Sequence, residues 1–482
     1  MPRPPKSLLL ALDIGSSSLR AALFTERGER ILPSTAARQY SLAYTPNGGA
    51  ELDPNELLRA ARSCVNQTLR ARAETSALRG VRIVAVCGSA IWHSLLGLDR
   101  KQRPTTPIFT WADSRSGPDA VELRQELSVR KIQSRTGCML RAPFWPAKLR
   151  WLRRTDRALF RRTATWVSPA TWIFDQLFGA AITSHSMASG TGLYNQKTSA
   201  WDPELCELCR IRVKQLSGLG EHSLTSDRSA KELRRAAIFS AIGDGAAGNL
   251  GSGAIGSPRV AINVGTSAAV RIILPKETRK TLPFGLFRYV VDQDRVVVGG
   301  AVSNGGNLRR WCLRELQLGG EAETESALSR KAAADDALTV LPFWTQERAP
   351  TWPEGVRGTI AGLTPATTAA DILRAATTST FYRLADIYDQ LKVDSTAEVI
   401  VSGGILHSPA SLKILADCLG RNFRVSRELE SSLRGAAVHA LEDLAYEVKT
   451  PRPGRTVHHR AKLAKAHRLR RAQQHELERR LR

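Results

Sequence analysis

The 482 residues exceed what one ordinary core organises and suffice for two large lobes. The chain is 42% hydrophobic and 24% charged, with 36 Gly and 23 Pro, which excludes collagen-like, coiled-coil and largely disordered classes. Seventy Lys and Arg against 45 Asp and Glu give a net charge of +25.

No apolar run approaches the roughly 20 residues that a membrane-spanning helix needs. The apolar stretch 7–12 ends at Asp13, too short for the apolar region of a secretory signal, so a cytoplasmic location is expected. Seven cysteines, odd in number and scattered, form no disulfide framework, and the C-x-x-C pair Cys206 and Cys209 reads as two neighbours on a helix. Twelve basic and two acidic residues occur from Lys449 onward. Such a tail could dock on nucleic acid or anionic lipid by counterion release. Its leucines form no wide stripe, however, and no aromatic residue follows Tyr446 to stack on a base. The expectation is a solvated C-terminal helix without nucleic acid, since Ala, Leu, Arg, Gln and Glu all favour helix.

In chain order, LLLALDIGSSSLRAALFT (8–25) predicts an apolar strand, a Gly-rich turn and a second strand. A long helix is predicted over 56–73, a strand over 81–87 and one helix over 145–162. VAINVGTSAAVRIIL (260–274) then repeats the opening plan, with Asn263-Val-Gly265-Thr266-Ser267 standing 250 residues after Asp13-Ile-Gly15-Ser16-Ser17. A strand pair over 287–298, a helix from Gly306, a long helix over 369–391, a strand over 398–401 and a helix over 412–419 follow. This alternation predicts an α/β protein with sheets covered by helices. The small-residue stretch 243–258 reads as the boundary between two halves.

Each Gly turn is either a plain hairpin or a cradle in which backbone N–H groups and hydroxyls hold phosphate oxygens. Two related turns, each opening a half, suggest duplicated lobes clamping one polyanion. Neither fits a P-loop or a Rossmann fingerprint. Asp244, flanked by glycines, reads as a general base with open approach or as an Asx-turn or helix cap. Trp111, Asp113 and Arg115 suit a polyhydroxylated ligand or a surface salt bridge. His93 follows a buried strand, where open α/β sheets place ligand loops. The glycine turns 299–306 and 401–404 could seat a base or ribose or be ordinary turns. Arg348 is a candidate anion contact on what otherwise reads as a surface loop.

Together, DIGSSSLRA, HSLLGLD, TWADSRS, SMASGTGL, GDGAAGNLGSG, INVGTSAAVR, GGAVSNGGN, PFW..ERAP.W and SGGILHSP resemble the FGGY family of carbohydrate kinases from about residue 8 to 444. The W-A-D-x-R form and the segment 187–193 look most like gluconate kinases. The resemblance implies two actin-like ATPase (ribonuclease H-like) lobes with ATP, Mg²⁺ and sugar in the cleft between them. Residues 7–248 would form the sugar-binding lobe, 256–446 the nucleotide-binding lobe and 447–482 a basic helical tail. Asp244 would be the general base and Asp13, with Asp244, would face Mg²⁺. Gly15, Ser16, Ser17, Ser18 and Arg20 match the first phosphate loop, and Gly265 and Thr266 the second. Gly306, Arg310, Gly403, Gly404 and Ser408 match nucleotide contacts. Trp92, His93, Trp111, Asp113 and Arg115 match sugar contacts, and Arg115 would reward an acid terminus such as that of D-gluconate. Gln346 stands where the family usually has Gly, and Trp92 where it often has Met, which implies a stiffer loop and a narrower pocket. A kinase of xylulose or another polyol, and an actin-like nucleotide switch without catalysis, are the alternatives, and a homodimer is left open.

Overall fold

A computed structural model describes residues 5–223, 230–255, 259–278, 280–329, 338–353 and 355–482. The first strand, Ser7–Ile14, is buried at every residue, as a central strand covered on both faces must be. It turns at Gly15, whose N–H donates to Ser18 O at 3.0 Å, and returns antiparallel as Ser18–Thr25. A Cβ at Gly15 would lie 2.9 Å from that same oxygen, so glycine is what permits the turn. The helix Pro54–Glu74 starts where Asp53 accepts from Asn55 N at 2.8 Å and buries Leu57, Ala61, Cys64 and Thr68. It carries the chain over to Arg82–Ala90, parallel to the first strand.

The first sheet runs Ala36–Gln39, Ser18–Thr25, Ser7–Ile14, Arg82–Ala90, Ala237–Phe239, His222–Ser223, with Ile242–Gly243 also paired to Arg82–Ala90. The second runs Phe287–Val290, Arg295–Val302, Ala268–Pro275, Arg259–Val264, Glu398–Ser402, Phe423–Val425, Thr456–Val457. From Arg295–Val302 onward, the second sheet has the pairing senses of the first: antiparallel, antiparallel, parallel, parallel, antiparallel. The hairpin echo in the sequence is thus the visible part of a duplicated six-strand plan.

The first part of the small-residue stretch is helical. Asp244–Ser252 is a helix that crosses the helix Ser431–Asp443 with backbones nearly touching. A Cβ on Gly251 would lie 1.8 Å from Ser431 O, and one on Gly435 would lie 1.7 Å from Ala247 O. The two helices also bind the sheets together. Leu433, Ala436, Ala437, Ala440 and Leu441 share a core with Leu9, Ala11, Ala85 and Cys87 of the first sheet, while Asp244–Ser252 touches strands of both sheets. The last helix of the expected 256–446 unit thus shares the first sheet's core. The unit's expected start, Gly256, lies outside the described residues.

Two expectations change. The helix over 145–162 is two, Trp145–Thr155 and Arg157–Arg162, because Asp156 leaves helical geometry and accepts from Leu159 N at 2.9 Å. The basic tail is not a solvated helix. Thr456–Val457 closes the second sheet, and Ala461–Leu481 docks through Gln474 Nε2 to Val340 O (2.8 Å), His467 to the Tyr382 hydroxyl (2.9 Å) and Glu478 to the fully buried Arg383 (2.7 Å). Arg460, Arg471, Arg479, Arg480 and Arg482 are ion-paired, so much of the tail's charge is engaged within the fold. Among the described residues no helix is long and apolar enough to cross a membrane.

Forcing a side chain into the helix crossing has a calculable sign. Gly435→Ala should destabilise the protein by about 1–3 kcal/mol or more through overpacking, read as a lower denaturant midpoint. Gly117→Ala, with open space where its Cβ would go, should shift stability by no more than about 0.5 kcal/mol.

Candidate active site

Asp244 begins its helix at the end of the short strand Ile242–Gly243, which pairs with the carboxyl end of Arg82–Ala90. Both neighbouring glycines are dictated by Trp92. A Cβ on Gly243 would lie 1.8 Å from the indole, and one on Gly245 would lie 2.6 Å from it. Gly190 is held the same way at 2.4 Å, and the indole N–H donates to Ser186 O at 3.0 Å. The segment 187–193 thus supports Trp92 and, through Gly190 O, the adjacent histidine. His93 Nδ1 lies 2.6 Å from that carbonyl and must donate to it, which leaves Nε2 as an acceptor. Burial pushes His93 down to about 3, so the ring is neutral.

Asp244, Trp92, His93 and Trp111 line an interlobe cavity with Ser267, Arg271, Phe287, Tyr289, Arg348 and Trp352. Trp92, Phe287 and Tyr289 form an aromatic cluster, with Trp92 and Tyr289 centroids 4.8 Å apart and Phe287 stacked on Tyr289 at 4.4 Å. Arg348 lies over Trp111 at 4.5 Å and donates to Ser303 Oγ and Val302 O, each at 3.1 Å. Burial raises the pKa of Asp244, while Arg271 and then Arg348 oppose that shift.

Asp113 and Arg115 stand elsewhere. Arg115 donates twice to Asp113 (3.2 and 2.5 Å) and once to Glu51 (2.5 Å), and stacks 4.5 Å from Trp151. Its charge is engaged there, and the pair fastens the Trp111 loop to the strand Ala50–Leu52 through Asp113 and Ala50 N. Lys148, 1% exposed, donates to His93 O (2.9 Å), Phe109 O (3.2 Å) and Thr110 O (2.7 Å). It ties together the two loops that carry His93 and Trp111. The sequence reading missed Lys148, although a lysine inside an apolar helical face was its signal. Arg271 was missed too, although an arginine in the apolar run AAVRIIL was visible.

A second cavity of about 390 Å³ lies in the C-terminal lobe, lined by Gly265, Thr266, Gly306, Arg310, Gly404 and Ser408 among the expected residues. Leu308, Phe381 and Ile405 add apolar walls that the sequence did not reveal. The Gly306 N–H donates to Gly265 O at 2.8 Å, and Arg310 reaches Thr266 Oγ1 at 3.1 Å. Gly403 adopts φ 93°, and a Cβ there would lie 2.7 Å from Val264 O. Ser408 caps the helix Pro409–Leu419 and donates to Glu325.

Ser16, Ser17 and Ser18 form the tip of the first hairpin. Arg20, just beyond it, is 3.6 Å from Asp13 and 3.1 Å from Glu430. Asp13 accepts from Ser89 Oγ. Burial lifts Asp13 to about 6, Ser89 and Arg20 oppose this, and Asp244 and Glu430 add to it. No group of three or more His, Cys, Asp or Glu able to cage a metal occurs among the described residues. A buried carboxylate short of positive charge beside a phosphate-type loop nevertheless suits Mg²⁺, which typically takes one or two carboxylates and completes its shell with phosphate and water.

Two family models match the chain: the N-terminal domain of the FGGY family of carbohydrate kinases over residues 8–251 and its C-terminal domain over 260–442. The gluconokinase of Bacillus subtilis (strain 168) is 28% identical over 459 residues, covering 90% of this chain and 87% of that protein. Crystal structures of gluconate kinase and of ligand-bound xylulose kinase, both from Lactobacillus acidophilus, share the fold with TM-scores of 0.86 and 0.88, at 23% and 24% identity and over 98% of each chain. With two actin-like lobes and matches to both family domains, the chain belongs to the FGGY family of carbohydrate kinases, phosphotransferases that use ATP and an alcohol acceptor.

Proposed function

We propose that this protein transfers the γ-phosphate of ATP to the primary hydroxyl of D-gluconate, giving 6-phosphogluconate. The observation that carries the reading is Asp244, which stands at a helix N-terminus in a cavity walled by aromatic rings, a neutral histidine and two arginines. The likeness to the Bacillus subtilis gluconokinase supports the choice of acceptor.

Asp244 takes the proton from the attacking hydroxyl as its oxygen bonds to the γ-phosphorus and the bond to ADP breaks. Burial makes this carboxylate a stronger base than a solvated one. His93 Nε2 accepts from a hydroxyl of the acceptor, and the ring of Trp111 packs on its carbon face. Nucleotide occupies the cavity at Gly265, Thr266 and Gly306, with Phe381 and Ile405 against the base. The hairpin tips at Ser16–Ser18 and at Gly265–Thr266 donate to phosphate oxygens, and Asp13, with Asp244, would hold Mg²⁺. That ion supplies charge neutralisation for the phosphates when bound. Lys148 positions His93 and Trp111 without touching substrate.

Asp244→Asn should lower kcat by about 10²–10⁴ while leaving the KM for ATP near wild type, followed by coupled ADP release. Wild type should favour D-gluconate over D-xylulose and glycerol, and a reversed order would remove gluconate from the proposal. Lys148→Met should raise the acceptor KM by about 10-fold or more with little change in the KM for ATP. Equal rises in both would reduce Lys148 to a purely structural residue.

A further inference from the structure

We infer that Arg271 is the specificity-determining residue of the acceptor cavity, and that it holds a carboxylate of the acceptor; this rests on the kinase reading above and names the acceptor as a sugar acid. Arg271 projects from the strand Ala268–Pro275 opposite Gly299. A Cβ at Gly299 would lie 3.1 Å from Arg271 Cγ, and one at Gly245, in the other lobe, would lie 2.7 Å from its Nε. Two glycines from two lobes therefore make the slot that this side chain occupies.

The carboxylate whose charge this guanidinium feels is Asp244, but among the described residues the two make no direct bond. Arg271 Nε is buried without a hydrogen-bond partner, and among the described residues the side chain makes no ion pair within 4.0 Å. The neighbouring arginines differ. Arg348 is bonded to Ser303 and Val302 and stacked on Trp111, and Arg115 is spent on Asp113 and Glu51. A carboxylate in the cavity would give the guanidinium the hydrogen-bond partner that it lacks among the described residues.

The two arginines on the wall are not equally free. Arg348 has the buried Glu347 beside it as a counter-charge, whereas Arg271 has Asp244 as its carboxylate neighbour, and His93 is neutral. A carboxylate of the acceptor matches the guanidinium fork in two-point geometry. A neutral ketose or alditol leaves Arg271 unpaired, and a site built for a polar contact rejects the analogue lacking it. A phosphate oxygen of the nucleotide offers similar chemistry. Arg271, however, lines the cavity with Trp92, Tyr289 and Trp352 and is not among the residues around Gly265, Thr266 and Gly306.

The test compares D-gluconate with D-glucitol, which carries a hydroxymethyl group in place of the carboxylate, in wild type, Arg271→Met and Arg271→Lys. Wild type should show a gluconate-to-glucitol ratio of kcat/KM of about 10² or more. Arg271→Met should bring that ratio toward one, and Arg271→Lys should restore part of it. A wild-type ratio near one overturns the inference without any variant, should Arg271→Met fail to fold. An unchanged ratio in Arg271→Met, with both acceptors falling together and acceptor-free ATP hydrolysis falling with them, assigns Arg271 to the transferring phosphoryl group and also overturns it. A wild type that passes over gluconate but prefers another aldonate to its alditol removes gluconate and leaves the acid subsite standing.

Discussion

The close crossing of the helices Asp244–Ser252 and Ser431–Asp443 is the constraint on which the rest hangs. Backbone meets backbone at Gly251 and Gly435, so side chains cannot separate the two axes. Ser431–Asp443 packs on the first sheet and Asp244–Ser252 touches strands of both, which welds two duplicated sheets into one body. The same crossing fixes the start of the first helix, and that start is Asp244. A carboxylate at a helix N-terminus is favoured by the unpaired N–H groups there, while burial pushes in the other direction. The fold thus holds an acid where two lobes meet, with its basicity set by competing local effects.

Around that acid, glycines do spatial rather than conformational service. Gly243, Gly245 and Gly190 exist to receive the face of Trp92, and Trp92 in turn fixes the backbone from which His93 projects with φ 67°. Lys148 holds the other side of His93, and Asp113 with Arg115 holds the loop of Trp111. The cavity's polar groups therefore stand on buried, mutually bonded neighbours. Phosphoryl transfer depends chiefly on position and charge, and this arrangement supplies both.

Much of this plan was legible in the sequence because it was written locally. The strand-turn-strand echo 250 residues apart needs only apolar runs and a glycine, and it pointed to duplicated lobes. Gly265, Thr266, Gly306, Gly404 and Ser408 gather at one cavity because each lies at an element end that sequence marks with Gly or Ser, and Arg310 joins them one turn into the helix that Gly306 begins. What depended on distant contacts was hidden. Arg115 has the same composition signal as a ligand-binding arginine, yet Glu51, 64 residues away, neutralises it. Arg271 gained its place only when Gly245 of the other lobe came against it. Residues 243–258 read as a boundary by composition, and only the partner helix shows that Gly251 was required for contact.

The basic C-terminal helix takes on a meaning that charge alone concealed. Arg383, fully buried in the long helix Ala369–Gln390, donates to Glu478 at 2.7 Å and to Thr351 Oγ1 at 2.7 Å, and Thr351 also donates to Glu478 at 2.6 Å. Thr351 stands between Arg348 and Trp352, both on the acceptor cavity. A buried ion pair of this kind adds little net stability, but removing one partner strands the other charge at a cost of about 3–5 kcal/mol. The tail therefore braces the wall that carries one of the cavity's two arginines. Glu478 and Gln474 face inward to hold the fold, and Arg471, Arg479 and Arg480 pair with acids of the neighbouring helix or of their own.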